Sequence, residues 1–176
     1  MNLRITLDRV KCFHTENTSG ADDFYVVGAA VAGGRTQAVL TTPLKIDDGQ
    51  ELAFPSDQRV VFDGPLADAE KLHLGIAAYN RDVNGDGKKR GEAVGKITTA
   101  VGALPVPSGS LLVSTAYTAT DAVFGRMGQD EKLGQLTLDA PVKDLKPGTG
   151  KKWSCSTESD AASSWKYEVY YTVDKG

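Results

Sequence analysis

The chain has 176 residues, 40% of them hydrophobic and 24% charged, which is enough for one domain with its own core. Its 20 basic and 23 acidic side chains are well mixed and leave a net charge of −3, which excludes the one-sided basic surface of a nucleic-acid binder. No apolar run approaches the ~20 residues that span a bilayer, and the start, MNLRITLDRVKCF, lacks the apolar region and small-residue cleavage site of a signal peptide.

Read in chain order, both ends alternate with strand period. Leu3, Ile5 and Leu7 stand against Asn2, Arg4 and Thr6, and this opening reads as a first strand. FYVVGAAVAGG is β-branched and aromatic, ends in a Gly-Gly turn and leads into RTQAVLTTPLKI, so the two are expected to form a hairpin. QRVVFDG and KLHLGIAAYN follow as strands separated by PLADAE. The middle changes period: Val94, Ile97, Val101 and Leu104 of EAVGKITTAVGAL fall at near-helical spacing, PVPSG stops that pattern, and SLLVSTAYTATDAVFGRMG reads as a second short helix. Strand period returns in LGQLTLDAPV and in WKYEVYYTV, where Tyr167, Val169 and Tyr171 alternate with Lys166, Glu168, Tyr170 and Thr172. Short strands divided by Gly, Pro, Asp and Asn turns predict a single all-β domain over 1–176, an antiparallel β-sandwich with a helical insertion over 92–128.

The densest chemistry lies in YNRDVNGDGKKRGE, residues 79–92. Calcium takes six to eight oxygen ligands, mostly carboxylates and carbonyls, from a loop able to wrap it. Asp82, Asn84 and Asp86 occupy positions 1, 3 and 5 of an EF-hand loop and Gly87 position 6, but position 12 is Ala93 rather than a bidentate Glu, and the preceding segment is a strand pattern, not a helix. The plain alternative is a polar turn built on Asn and Gly. A second acidic loop, ENTSGADDFYVVG over residues 16–28, also runs into a strand.

Together these segments resemble the calcium loops of C2 domains. The first C2 loop follows roughly Asp-x-x-Gly-x-x-Asp-Pro-Tyr-Val, and Asn17, Gly20, Asp23, Phe24, Tyr25 and Val26 stand at that spacing. IAAYNRD is similar to the C2 segment Val-x-Asp-x-Asp, with Asn80 and Asp82 at its two acidic positions. Asp130, Glu131, Leu133, Gly134, Leu145 and Trp153 follow the order of the third motif and its sequel, and WKYEVYYTV is similar to the closing strand. The resemblance covers nearly the whole chain in order and implies an eight-stranded C2-like sandwich, with bacterial C2-like proteins carrying such an insertion as nearest kin. It implies Ca2+ held by Asn17, Asp23, Asn80, Asp82 and either Asp130 or Glu131, with calcium affinity lowered by the two asparagines that replace family aspartates unless Glu16, Asp22 or Asp86 compensates. Asn84 and Asp86 are either turn residues or a second, weaker ion site.

The implied function is a non-enzymatic calcium-binding module that docks on an anionic phospholipid surface or a protein partner. Its loop tips Thr18, Ser19, Ala21 and Gly85 bring no large apolar side chain, while Lys88, Lys89 and Arg90 would gain about 1 kcal/mol per charge at an anionic membrane. Two other readings stay open: a calcium-independent interaction protein with a degenerate site, and an enzyme or effector. For the latter, only His14 and His73 could serve a Ser-His-Asp arrangement, and both lie in or beside strand patterns. PGTGKKW departs from a phosphate loop at Leu145 and leaves Lys151 and Lys152 as a solvated face. IDDGQEL, with Asp47, Asp48 and Glu51, reads as a hairpin turn. Cys12 and Cys155 are expected as two buried free thiols, a disulfide across the fold being the alternative. The expected location is the cytoplasm or an export route without an N-terminal signal, unless the sequence is a mature or cloned piece.

Overall fold

The alternating segments become strands that pair into two antiparallel sheets. A computed structural model describes residues 1–15, 20–81, 89–125, 130–157 and 164–176. Along the chain these form β1 (Asn2–His14), β2 (Asp22–Ala32), β3 (Arg35–Leu40), β4 (Leu44–Ile46), β5 (Glu51–Ala53), β6 (Val60–Pro65) and β7 (Lys71–Asn80), then helices α1 (Arg90–Gly102) and α2 (Gly109–Phe124), then β8 (Glu131–Pro141), β9 (Gly148–Ser156) and β10 (Lys166–Lys175). Sheet 1 has the order β5-β1-β10-β9, with β6 also on β1; sheet 2 has the order β3-β2-β7-β8, with β4 also on β2. The sandwich therefore has ten strands among the described residues where eight are expected, because β4 and β5, three residues each, add short pairings at the sheet edges.

Three local details differ from the sequence reading. IDDGQEL makes its turn, with Gly49 at φ 76° and the Gln50 amide donating to Asp47 O at 3.1 Å, but it carries the chain from β4 in sheet 2 to β5 in sheet 1 and so is not a hairpin. Gly148–Ser156 forms a full strand that glycine and lysine had disguised, since only Trp153 and Cys155 point inward from it. The insertion starts two residues early, at Arg90, and α1 ends at Gly102, before Leu104. The Gly33-Gly34 hairpin is present, with both residues at positive φ.

The strands carry two cores. Between the sheets lie Leu3, Ile5, Leu7, Phe24, Val26, Leu74, Ile76, Trp153, Tyr167 and Val169. On the far side of sheet 2, Tyr25, Val27, Ala29, Ala77 and Tyr79 pack against Ala93, Ile97 and Val101 of α1 and Leu112, Val113 and Ala116 of α2. Alternation along β2 and β7 thus sends even positions to the sandwich and odd positions to the helices. The α2 end sits so close to sheet 2 that a Cβ on Gly75 would lie 1.9 Å from the Gly109 carbonyl oxygen, so only glycine fits there. Ser108 caps α2 by accepting from the Leu111 amide, and Gly125 closes it with φ 68°.

The first and last strands pair with each other, Cys12 facing Tyr167 across β1 and β10, and Tyr167 facing Cys155 across β10 and β9. The two cysteines are therefore two strands apart, about 10 Å, beyond the reach of a disulfide. Both are free and buried, and burial pushes each thiol up to about 12.

Candidate functional site

The pairing in sheet 2 gathers the acidic segments at one end. Phe24 faces Asn80 across β2 and β7, Asn80 faces Glu131 across β7 and β8, and the Arg81 amide donates to Asp23 O at 3.1 Å. Segments some fifty residues apart in sequence thus end side by side. Of the residues expected to hold calcium, Asn17, Asp82, Asn84 and Asp86 lie outside the described residues. The remaining five, Asp22, Asp23, Asn80, Asp130 and Glu131, occur at this end of sheet 2.

Strand alternation divides them between two faces. Asp22 points into the sandwich, is fully buried and accepts a hydrogen bond from the Tyr167 hydroxyl. Burial together with the neighbouring Asp22 carboxylate raises the Tyr167 phenol far above its ordinary range, so it remains the donor. Asn80 is 2% exposed on the same side, and its Oδ1 accepts from the Asp23 amide at 3.0 Å, tying the β2 start to the β7 end. Asp130 lies on the helix side, where its Oδ2 accepts from the Tyr25 hydroxyl at 2.6 Å. Burial, then that hydrogen bond, raises the Tyr25 phenol far above its usual value. Glu131 is exposed at the first position of β8. Among the described residues, no three His, Cys, Asp or Glu side chains are arranged to hold a metal ion.

The helix side of this end holds a feature the sequence did not announce. The Tyr25 and Tyr79 rings stack with centroids 5.6 Å apart, and Tyr117 of α2 continues the column 5.2 Å from Tyr79. Burial raises the Tyr79 phenol, and burial with the Asp121 and Asp130 carboxylates raises that of Tyr117. Tyr25 and Tyr79 share a face because they are cross-strand partners in the β2–β7 register, which no single-segment pattern reveals. The Arg81 guanidinium lies 4.8 Å from the Phe124 ring at the end of α2.

Other candidates resolve into local structure. His73 Nδ1 lies 2.7 Å from Asp139 Oδ1, and Asp139 accepts from the Gly109 amide with both oxygens at 3.0 Å, so this pair anchors the start of α2. His14 is exposed at the end of β1. Lys152 pairs with Glu168 at 3.4 Å on the outer face of sheet 1. Arg90, expected within a basic run toward membrane, donates its Nε to the Leu40 carbonyl at 2.5 Å, while Lys89 is exposed. No helix among the described residues is long and apolar enough to cross a membrane.

No protein-family model matches the chain. No curated protein matches it either. Solved structures similar to it over 99% of its length include the following two. One is human GIVD cytosolic phospholipase A2 in complex with methyl gamma-linolenyl fluorophosphonate, at 11% identity and a TM-score of 0.38; the chain spans 17% of that protein. The other is a C2 domain of plant extended synaptotagmin 1, at 12% identity and a TM-score of 0.34, with 96% of that chain covered. In architecture the chain is an antiparallel β-sandwich with a small helical insertion.

Proposed function

We propose that the chain is a non-enzymatic calcium-binding module, its ion held where β2 begins, β7 ends and β8 begins. The observation that carries this reading is the register that sets Asp23, Asn80 with Arg81, and Glu131 side by side at one end of sheet 2. Carboxylates crowded at one end of a sandwich repel each other at neutral pH, and a divalent cation relieves that repulsion while tying the loops together. Asp23 and Glu131 are the described carboxylates the reading relies on, and Asp82, next in sequence to Arg81, completes the set. An anionic phospholipid or protein partner would then bind at the ion-loaded end.

Thermal unfolding in calcium against chelator tests it. Millimolar calcium should raise Tm by several degrees, and Asp23→Ala or Asp82→Ala should abolish the shift. An unchanged wild-type Tm overturns the proposal. Co-sedimentation with anionic liposomes, in calcium and in chelator, then separates a membrane from a protein partner.

One observation favours a second reading, a calcium-independent interaction module. Asp22 is engaged with Tyr167 and Asn80 with the Asp23 amide, so two of the oxygens a degenerate site would still present are used inside the fold.

A further inference from the structure

The insertion does more than cover sheet 2. Between α2 and the β7–β8 edge lies a cleft of about 360 Å³, whose lining includes Tyr79, Ser110, Ser114, Tyr117, Asp130 and Lys132. That volume falls in the range of small-molecule sites. Among the lining residues, the Asp130 carboxylate is oriented by the Tyr25 hydroxyl at 2.6 Å. Tyr79 is only 4% exposed and packs against Tyr117, which is partly exposed and is the more accessible of the two rings. The serines lie one helical turn apart on α2, and Lys132, exposed and facing Tyr79 across the β7–β8 pairing, donates to Gln135 Oε1.

An aromatic face beside a fixed carboxylate suits a weakly hydrated organic cation, which loses little hydration on leaving water and gains both the ring quadrupole and the opposite charge. Lys132 would repel a simple cation but attracts an anionic group attached to it, and the Ser110 hydroxyl can donate to the same group, while the Ser114 hydroxyl donates to the Leu111 carbonyl at 3.1 Å. We propose that this cleft binds the quaternary ammonium head of a small zwitterion, the methylated cation against Tyr117 and beside Asp130, the anionic end toward Lys132 and Ser110. The inference does not rest on calcium binding, and its test runs in chelator.

Titration calorimetry compares choline, phosphocholine and the neutral isostere of choline in which carbon replaces the nitrogen. Choline and phosphocholine should give saturable isotherms, with phosphocholine tighter and the isostere weaker by about fivefold or more. Tyr117→Leu, which keeps the apolar contact and the helix propensity, should weaken both cations by a similar factor. Lys132→Ala should weaken phosphocholine and leave choline binding equal or slightly tighter. Retention on phosphatidylcholine vesicles in chelator would assign the head group to a lipid, and binding without retention to a free solute. The proposal is overturned if neither cation binds saturably, if the isostere binds as well as choline, or if Tyr117→Leu changes nothing. Because Asp130 is next in sequence to Glu131 of the candidate ion site, Tyr117 and Lys132 are the informative positions: the calcium-dependent Tm shift should survive their replacement.

Discussion

The two sheets solve the same problem in opposite ways. Sheet 1 buries one face and turns the other to water, where long side chains cover what would otherwise be exposed: the Arg9 guanidinium lies 4.0 Å from the Tyr170 ring, and the Lys152 ammonium 5.5 Å from it. Sheet 2 buries both faces, and from Phe24 to Ala30 every β2 residue is buried, as is every β7 residue from Leu74 to Asn80. A strand buried on both sides loses its polar-apolar alternation and reads as a continuous apolar run. Gly75 is glycine because α2 meets sheet 2 there at backbone distance, and Ala29 and Ala77 lie in the layer under the helices. The insertion and the strands beneath it therefore depend on each other: the small residues of β2 and β7 would leave a poorly filled surface without α1 and α2.

The contrast can be broken in order of effect. The largest is kinetic. Thiols held at about 12 instead of 9 carry about a thousandfold less thiolate at pH 8, so Cys12 and Cys155 should resist alkylation in the folded protein and react at once in urea. The same shift makes stability alkali-sensitive. The folded state keeps protons that the unfolded chain releases, so this contribution is complete below about pH 9 and is lost as pH rises toward 12, measured as a falling Tm. Next, Gly75→Ala forces a methyl into the Gly109 carbonyl and should cost about 3 kcal/mol by urea denaturation. If the helix layer can lift independently, the thiols of this variant will stay protected while the helices loosen; if the two cores are one cooperative unit, protection will fall with stability. Tyr167→Phe removes the donor to the buried Asp22 carboxylate and should cost about 2 kcal/mol at neutral pH. The smallest effect belongs to the outer face of sheet 1, where Lys152→Ala breaks an exposed pair with Glu168 and should change stability by less than about 0.5 kcal/mol.

Much of this fold was legible because strand and helix periods differ. The apolar spacing of Ile97 and Val101 marked α1, and the alternation through Tyr167 and Val169 marked the inward side of β10. What stayed hidden depends on pairing across the chain. Whether Asp22 points inward or outward is set by the β2 register, not by its neighbours in the acidic loop, and the structure sends it into the sandwich, against Tyr167. The third-loop choice between Asp130 and Glu131 also turns on direction, and Asp130 is engaged with Tyr25 on the helix side. The tyrosine column combines residues from β2, β7 and α2, so no single segment contains it. Asp82, Asn84 and Asp86, the most conspicuous residues in the sequence, stand next to the described site in sequence, and solution measurements on their variants address them directly.

The distribution of aromatic residues also gives the molecule two separate optical reporters. Both tryptophans, Trp153 and Trp165, belong to the sandwich core, whereas the layer under the helices contains Tyr25, Tyr79 and Tyr117 and no tryptophan. Red-edge excitation therefore illuminates the sandwich alone, whereas near-ultraviolet tyrosine dichroism adds the stacked tyrosines to Tyr167, Tyr170 and Tyr171 of β10, so the helix layer is read as the difference between the two signals. Separate melting curves for the two cores can thus be recorded on the unlabelled protein.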